Sequence, residues 1–141
     1  MGTKTEPVIF QPGELLVQEK TASDAIYVIK SGQLQAYKMK DDVRIPLGII
    51  SSGEYVGEMA VLRESTHNNS VVALTEVEAV KLPKKIVQAE LEKLSPWFLA
   101  LVRGIAERLH DANELLRKNN LIDDSMQTKI KAIEEKAKKA E

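Results

Sequence analysis

Glu58 and His67 are the side chains of this sequence best suited to chemistry, and each sits in a short polar setting within an apolar stretch. Glu58 follows Gly57 and opens the apolar run Met59-Ala60-Val61-Leu62. A carboxylate there either complements a helix N-terminus or accepts hydrogen bonds from a ligand. His67 begins a polar cluster, His67-Asn68-Asn69-Ser70, that leads into the β-branched run Val71-Val72. An imidazole titrates near pH 6.5 when unperturbed and offers one N–H per nitrogen. The neighbouring amides and hydroxyl add donors and acceptors. This is binding chemistry. No Ser-His-Asp spacing, phosphate-binding Gly-rich loop, or carboxylate pair with a base is present, so no catalytic activity is expected. His67 and His110 are the two histidines, and there is no cysteine. Two distant histidines without nearby carboxylates make a poor metal site, so no metal is expected.

The elements that must position these residues come in two kinds. The first half of the chain reads as short strands with turn signals about every ten residues, the pattern of an antiparallel sandwich or barrel. Pro7-Val8-Ile9-Phe10, Leu15-Leu16-Val17, Ala25 to Ile29, Leu34 to about Lys40, Val43 to Ile50, Ser70 to Thr75 and Glu78 to Leu82 are the strand candidates. Pro12-Gly13 and Ser51-Ser52-Gly53 mark turns, and Asp41-Asp42 marks a hairpin tip. From Pro83, which suits the first turn of a helix, the period changes. Ile86, Val87, Ala89, Leu91 and Leu94 space as one helical face. Ser95 and Pro96 restart a helix as N-cap and first helical residue. Phe98, Leu101, Val102, Ile105, Leu109, Ala112 and Leu116 then recur at three- and four-residue steps, as expected of a long helix that pairs with another. Trp97, at its start, reads as a packing anchor, and His110 falls on its polar side. Asn119-Asn120 weakens the helix. The tail beyond carries the four-apart pairs Glu134–Lys138 and Glu135–Lys139, worth only a few tenths of a kcal/mol each, so it needs a partner for order.

The bulk properties remove several functions. A formal net charge of −1 gives no whole-chain field toward DNA or an anionic membrane. No apolar run approaches the roughly 20 residues of a membrane span, and the first residues form no apolar signal region. Gly2 follows Met1, but Glu6 stands where a myristoylation signal has Ser or Thr. The absence of cysteine fits a reducing compartment. The expectation is a soluble cytoplasmic protein.

In its order of pieces the chain resembles the cyclic nucleotide-binding domain family, represented by bacterial catabolite activator proteins and regulatory subunits of protein kinase A. The resemblance runs from about Val8 to Leu116. Phe10-Gln11-Pro12-Gly13-Glu14-Leu15-Leu16 is similar to the family's opening strand and turn. Ala25 to Leu34 is similar to its most recognisable strand pair, and Gly53-Glu54-Tyr55-Val56-Gly57-Glu58-Met59-Ala60 to the start of its phosphate-binding cassette. The resemblance implies a mainly β fold with C-terminal helices: a double-stranded β-helix, or jelly-roll, barrel of about eight strands followed by a long α-helix. It implies a site for cAMP or cGMP inside the barrel, with no other cofactor. Glu58 matches the carboxylate that accepts from the ribose 2′-hydroxyl. Backbone N–H groups at Gly57, Met59 and Ala60 match those facing the cyclic phosphate. His67 falls where the family carries the arginine that pairs with that phosphate. Asn68 and Asn69 replace the small residues beside it, and Ser70 matches a hydroxyl that reaches the ligand. Arg63 reads as a solvated helix-end residue, with a stand-in for the missing arginine as the alternative. Glu19-Lys20-Thr21 replaces a Gly-Asp turn, a departure expected to affect loop shape alone.

The expected organisation is a barrel domain over residues 1–94, a long helix over 95–120 serving as lid and dimer seam, and a charged, helical or partly disordered tail over 121–141. The seam residues are Ile105, Leu109, Ala112 and Leu116. Residues 121–141 are too few for the DNA-binding domain that follows the long helix in catabolite activators, so no DNA binding is expected. The functional expectation is a non-catalytic, homodimeric regulatory module. Its cAMP or cGMP binding is weak, altered or absent, and its C-terminal helix engages a protein partner. The alternative is a working cAMP or cGMP receptor using Glu58 and His67. A cupin-type metalloenzyme is more remote, given two histidines.

Overall fold

The computed structural model describes residues 5–118 and 124–140, with the side chains of 116–129 and 140 outside the description. Eight strands form two four-stranded sheets, every pairing antiparallel. They are β1 (Glu6–Phe10), β2 (Leu15–Val17), β3 (Ala25–Ser31), β4 (Leu34–Lys40), β5 (Val43–Ile50), β6 (Tyr55–Val56), β7 (Ser70–Ala73) and β8 (Val77–Pro83). One sheet runs β1-β8-β3-β6 and the other β2-β7-β4-β5. This is the expected jelly-roll followed by helices. Seven of the strands carry β-prone runs in the sequence. The eighth, β6, is two residues long and has no such signature.

Turn chemistry fixes the register. Asp41 and Asp42 both take positive φ (51° and 64°) at the β4–β5 tip, the left-handed geometry of a tight hairpin that Asp tolerates. Gly32, between β3 and β4, has φ +95°, and a Cβ there would collide with the Glu76 carbonyl oxygen. Only glycine fits that crossing. Pro46 lies in β5, at the sheet edge, where its missing N–H costs no central ladder bond.

Between the sheets lies the core, whose most deeply buried large side chains are Ile29, Leu34, Val56, Val61 and Val77. All four residues of β7 are buried, the sign of a strand covered on both faces. Val71 faces the interior cavity described below, and Val72 faces a smaller one bordered by Glu134, Ala137 and Lys138. Those last residues belong to helix α4 (Asp124–Ala140), which lies against β5 with Ile130 buried.

Three helices precede α4. α1 (Glu58–Leu62) is a single short turn between β6 and β7; α2 (Lys84–Glu92) follows β8; α3 (Pro96–Lys118) is the long helix. Pro83 is the residue before α2, not its first turn: its ψ of 144° is extended and it closes β8. α3 begins at Pro96, with the Leu99 N–H donating to the Ser95 carbonyl at 3.0 Å. It packs on α1, and its Ala106 is 4% exposed. Of the described residues in the aliphatic stripe of α3, Val102 alone is half-buried and the rest are exposed. Phe98, Leu101, Ile105 and Leu109 are exposed, Ile105 by 57%, and so is Ala112. The Leu116 side chain lies outside the described residues. Trp97 does not anchor α3 to the barrel: it is 70% exposed and meets the edge of the adjacent Phe98, ring to ring at 5.5 Å.

Candidate functional site

A cavity of about 510 Å³ opens inside the barrel, within the range of small-molecule sites. Seven of the eight residues singled out from the sequence line it: Gly57, Glu58, Met59, Ala60, His67, Asn68 and Asn69. The eighth, Ser70, is 4% exposed and turns elsewhere, its hydroxyl accepting from the Glu19 N–H at 2.9 Å. Ser70 therefore pins the loop before β3 and does not border the cavity.

Local backbone geometry explains how this wall forms. Gly57 has φ +87° just before α1. A Cβ there would lie 2.9 Å from the Ala25 carbonyl oxygen and 3.4 Å from His67 Cε1. Glycine thus lets β3, the start of α1 and the His67 ring meet in one place. His67 is held from its other side. Its N–H donates to the Thr21 carbonyl at 3.0 Å and its carbonyl accepts from the Lys20 N–H at 2.8 Å. Lys20 takes φ +69° to do this. The Glu19-Lys20-Thr21 departure therefore reaches the site, contrary to the expectation that it changes only loop shape: this loop clasps the backbone of residue 67.

Burial shifts both central groups toward their neutral forms. His67 is 6% exposed, and loss of water pushes its pKa below the usual 6.5, with the Asp24 carboxylate pulling partly back. The ring is neutral at pH 7. Burial pushes the Glu58 carboxyl above the usual 4.5; a hydrogen bond from its own backbone N–H opposes this, and the Glu54 charge adds to the rise. Glu54 itself lines the cavity and accepts from the Ser51 N–H at 2.7 Å.

The opposite walls are ones the sequence did not single out. Val17, Ala36, Leu47, Ile50, Val56 and Val71 give apolar sides from both sheets, with Tyr55 at β6. His110, Asn113 and Glu114 of α3 form a roof. Asn68 Nδ2 lies 2.9 Å from His110 Nδ1, so the cassette touches the roof directly. A signal for this existed in the sequence. Val102, Ala106, His110 and Asn113 share a helical face beside that of Phe98, Leu101, Ile105 and Leu109, and its small and polar residues suit a lid better than a seam.

Arg63 is neither solvated nor turned into the cavity. Its Nε donates to Glu107 Oε1 at 2.9 Å, its Nη1 approaches Ser65 Oγ at 3.5 Å, and its side chain is 17% exposed. Next to it, Glu64 accepts from Arg103 Nη2 at 3.1 Å. These two ion pairs and the Asn68–His110 contact bind the cassette to α3 at three points. Among the described residues, no Lys or Arg lines the cavity, no group of three potential metal ligands occurs, and no helix is long and apolar enough to cross a membrane.

Comparison with known proteins agrees with the fold. The sequence model of the family described as "Cyclic nucleotide-binding domain" matches residues 7–93. A cAMP-dependent protein kinase regulatory subunit of Emericella nidulans is 34% identical over 77 residues, 55% of this chain and 18% of that protein. A lysophospholipase of Aspergillus oryzae is 29% identical over 104 residues, 73% of this chain and 7% of that protein. Among solved structures, the cAMP-bound form of the EAL enzyme Bd1971 superposes with a TM-score of 0.69 at 29% identity, covering 88% of this chain and 34% of that one. The chain thus spans between 7% and 34% of the length of these relatives.

Proposed function

Because this chain belongs to the cyclic nucleotide-binding domain family, we infer that it is a non-catalytic regulatory module, in which a purine riboside ligand in the barrel cavity sets the position of α3. One observation carries the reading: the cassette residues Glu58, His67 and Asn68 and the α3 residues His110 and Asn113 are walls of the same cavity. A ligand that fills it touches both. Glu58, desolvated at the cavity wall, suits the ribose hydroxyls as an acceptor. The apolar walls suit a flat base, and Asn68, Asn69 and Asn113 offer amide edges to it.

Ordinary cAMP or cGMP binding is weakened in this reading. An arginine would give the cyclic phosphate a charge-assisted hydrogen bond worth roughly 1.5–3 kcal/mol; a neutral imidazole does not. The alternative, a working cAMP or cGMP receptor using Glu58 and His67, gains support from the closeness of His67 to the start of α1.

The exposed stripe of α3 supports the homodimer part of the proposal. Phe98, Leu101, Ile105 and Leu109 lie at three- and four-residue steps on a face the barrel does not cover, and a second copy of the same stripe is the simplest cover. Ile105→Lys with Leu109→Lys should give a monomer by light scattering where the wild-type chain gives a dimer; an unchanged mass places the seam elsewhere.

Calorimetric titration with purine ribosides and with cAMP and cGMP tests the module itself. Saturable binding of at least one, with weak or no binding of the cyclic nucleotides, is the expected result. Absence of saturable binding by every one of them contradicts the ligand-sensing reading, and low-micromolar cAMP or cGMP binding at neutral pH favours the alternative.

A further inference from the structure

The cavity's charges carry the ligand question further, on the premise that it is a purine riboside site. We propose that its preferred ligand is an uncharged purine nucleoside, and that the corresponding cyclic phosphate is the poorer ligand.

The cavity is built against a second negative charge. Glu54 and Glu58 both line it, close enough for Glu54 to make ionisation of Glu58 harder. A phosphodiester entering the same space meets the Glu58 carboxyl, with the exposed Glu54 also on the lining. Among the described residues no Lys or Arg lines the cavity, and the arginines nearest the cassette are paired. Arg63, the nearest guanidinium along the cassette, is held by Glu107 at 2.9 Å. Arg103 is held by Glu64 at 3.1 Å. His67 is 6% exposed, and its backbone is clasped by that of residues 20 and 21. α1 is only five residues long, too short for its dipole to replace a full cation. An anion desolvated without a partner is among the costlier things a protein interior can hold.

The same walls suit a neutral nucleoside. A ribose diol can donate to the Glu58 carboxyl, which lines the cavity. A purine edge presents mixed donors and acceptors, and the amides of Asn68 and Asn69 answer both kinds. The Asn68–His110 contact at 2.9 Å would bring the α3 roof into the same hydrogen-bond set. A nucleoside loses nothing in this cavity for want of an arginine.

The test is calorimetric titration of the full wild-type chain at pH 7.5 with four probes: adenosine, guanosine, cAMP and cGMP. At least one nucleoside should bind about tenfold or more tightly than its own cyclic phosphate. If each cyclic phosphate binds as well as its nucleoside or better, the inference is overturned while the riboside-sensing reading stands. If none of the four gives saturable heat, both fall together.

Discussion

Replacing His67 with arginine tests the role of the missing charge at a single side chain. The position is well defined: His67 Cε1 lies 3.4 Å from where a Gly57 Cβ would be, just before α1. An arginine there, longer than the imidazole, extends past Gly57 along the cavity wall that holds Glu58 and Met59. It brings a permanent charge and a planar fork of donors. One charge-assisted hydrogen bond to a cyclic phosphate contributes roughly 1.5–3 kcal/mol, which is about a 10- to 150-fold gain in affinity. Nucleoside affinity has no such bond to gain and stays flat or falls. Glu58, beside a new cation, should lose its raised pKa. Titration of His67→Arg with cAMP, cGMP and their nucleosides reads the affinities, and a thermal melt of the unliganded variant checks that the fold holds. A folded variant with no gain for either cyclic nucleotide would overturn this: the barrier would then lie in Asn68, Asn69 or the α3 roof, not in the missing charge.

Other perturbations separate stability from binding. Glu58→Gln should raise stability at neutral pH and weaken riboside binding. The sign follows from the raised carboxyl pKa: the folded state holds this proton more tightly than the unfolded chain, so the contribution is fully present below about pH 4.5 and is lost as pH rises through the folded value. Chemical denaturation at pH 4 and 7 checks it, and an equal change at both pH values contradicts it. His67 acts in the opposite sense. Its folded pKa is lowered, so stability falls as pH drops from 6.5 toward the folded value, and His67→Asn should flatten that slope. Through the same window, cAMP and cGMP affinity should rise as the ring gains its proton, with Asp24 as the opposing charge; an unchanged affinity between pH 7.5 and 5.5 removes His67 from phosphate contact. Gly57→Ala forces an L side chain to φ +87° and against the Ala25 carbonyl. A left-handed backbone alone costs roughly 1–2 kcal/mol, so the melting temperature should fall by roughly 5–10 °C once the clash is added. A melt within a degree of wild type would show that α1 tolerates a shift there.

The fold was legible where local chemistry is strong. Asp41-Asp42 marks a hairpin and takes left-handed angles there; Ser95-Pro96 marks a helix start, and α3 begins at Pro96. The first half of the site was legible because Gly57-Glu58 is a local pattern. The second half was not, because it depends on which way a helix turns. The aliphatic stripe of α3 dominates its periodicity, yet most of that stripe is exposed, and the small and polar face carrying Ala106 and His110 lies against the barrel. β6 escaped notice because two residues are too few to show a period. The clasp of Lys20 and Thr21 on His67 is made by backbone groups, which carry no side-chain signature. Trp97 misled for a related reason: a large aromatic is usually buried, and here the barrel offers it no surface.

Whether α3 feels the occupancy of the cavity can be read by amide hydrogen exchange on the unmodified chain. His110 and Asn113 roof the cavity, and Arg63–Glu107, Glu64–Arg103 and Asn68–His110 tie α3 to the cassette. A saturating ligand should therefore slow exchange across Ala106–Glu114 together with Glu58–Leu62. Slower exchange around Glu58 with α3 unchanged at saturation would contradict a regulatory role for the helix, because the cavity would then bind without relaying.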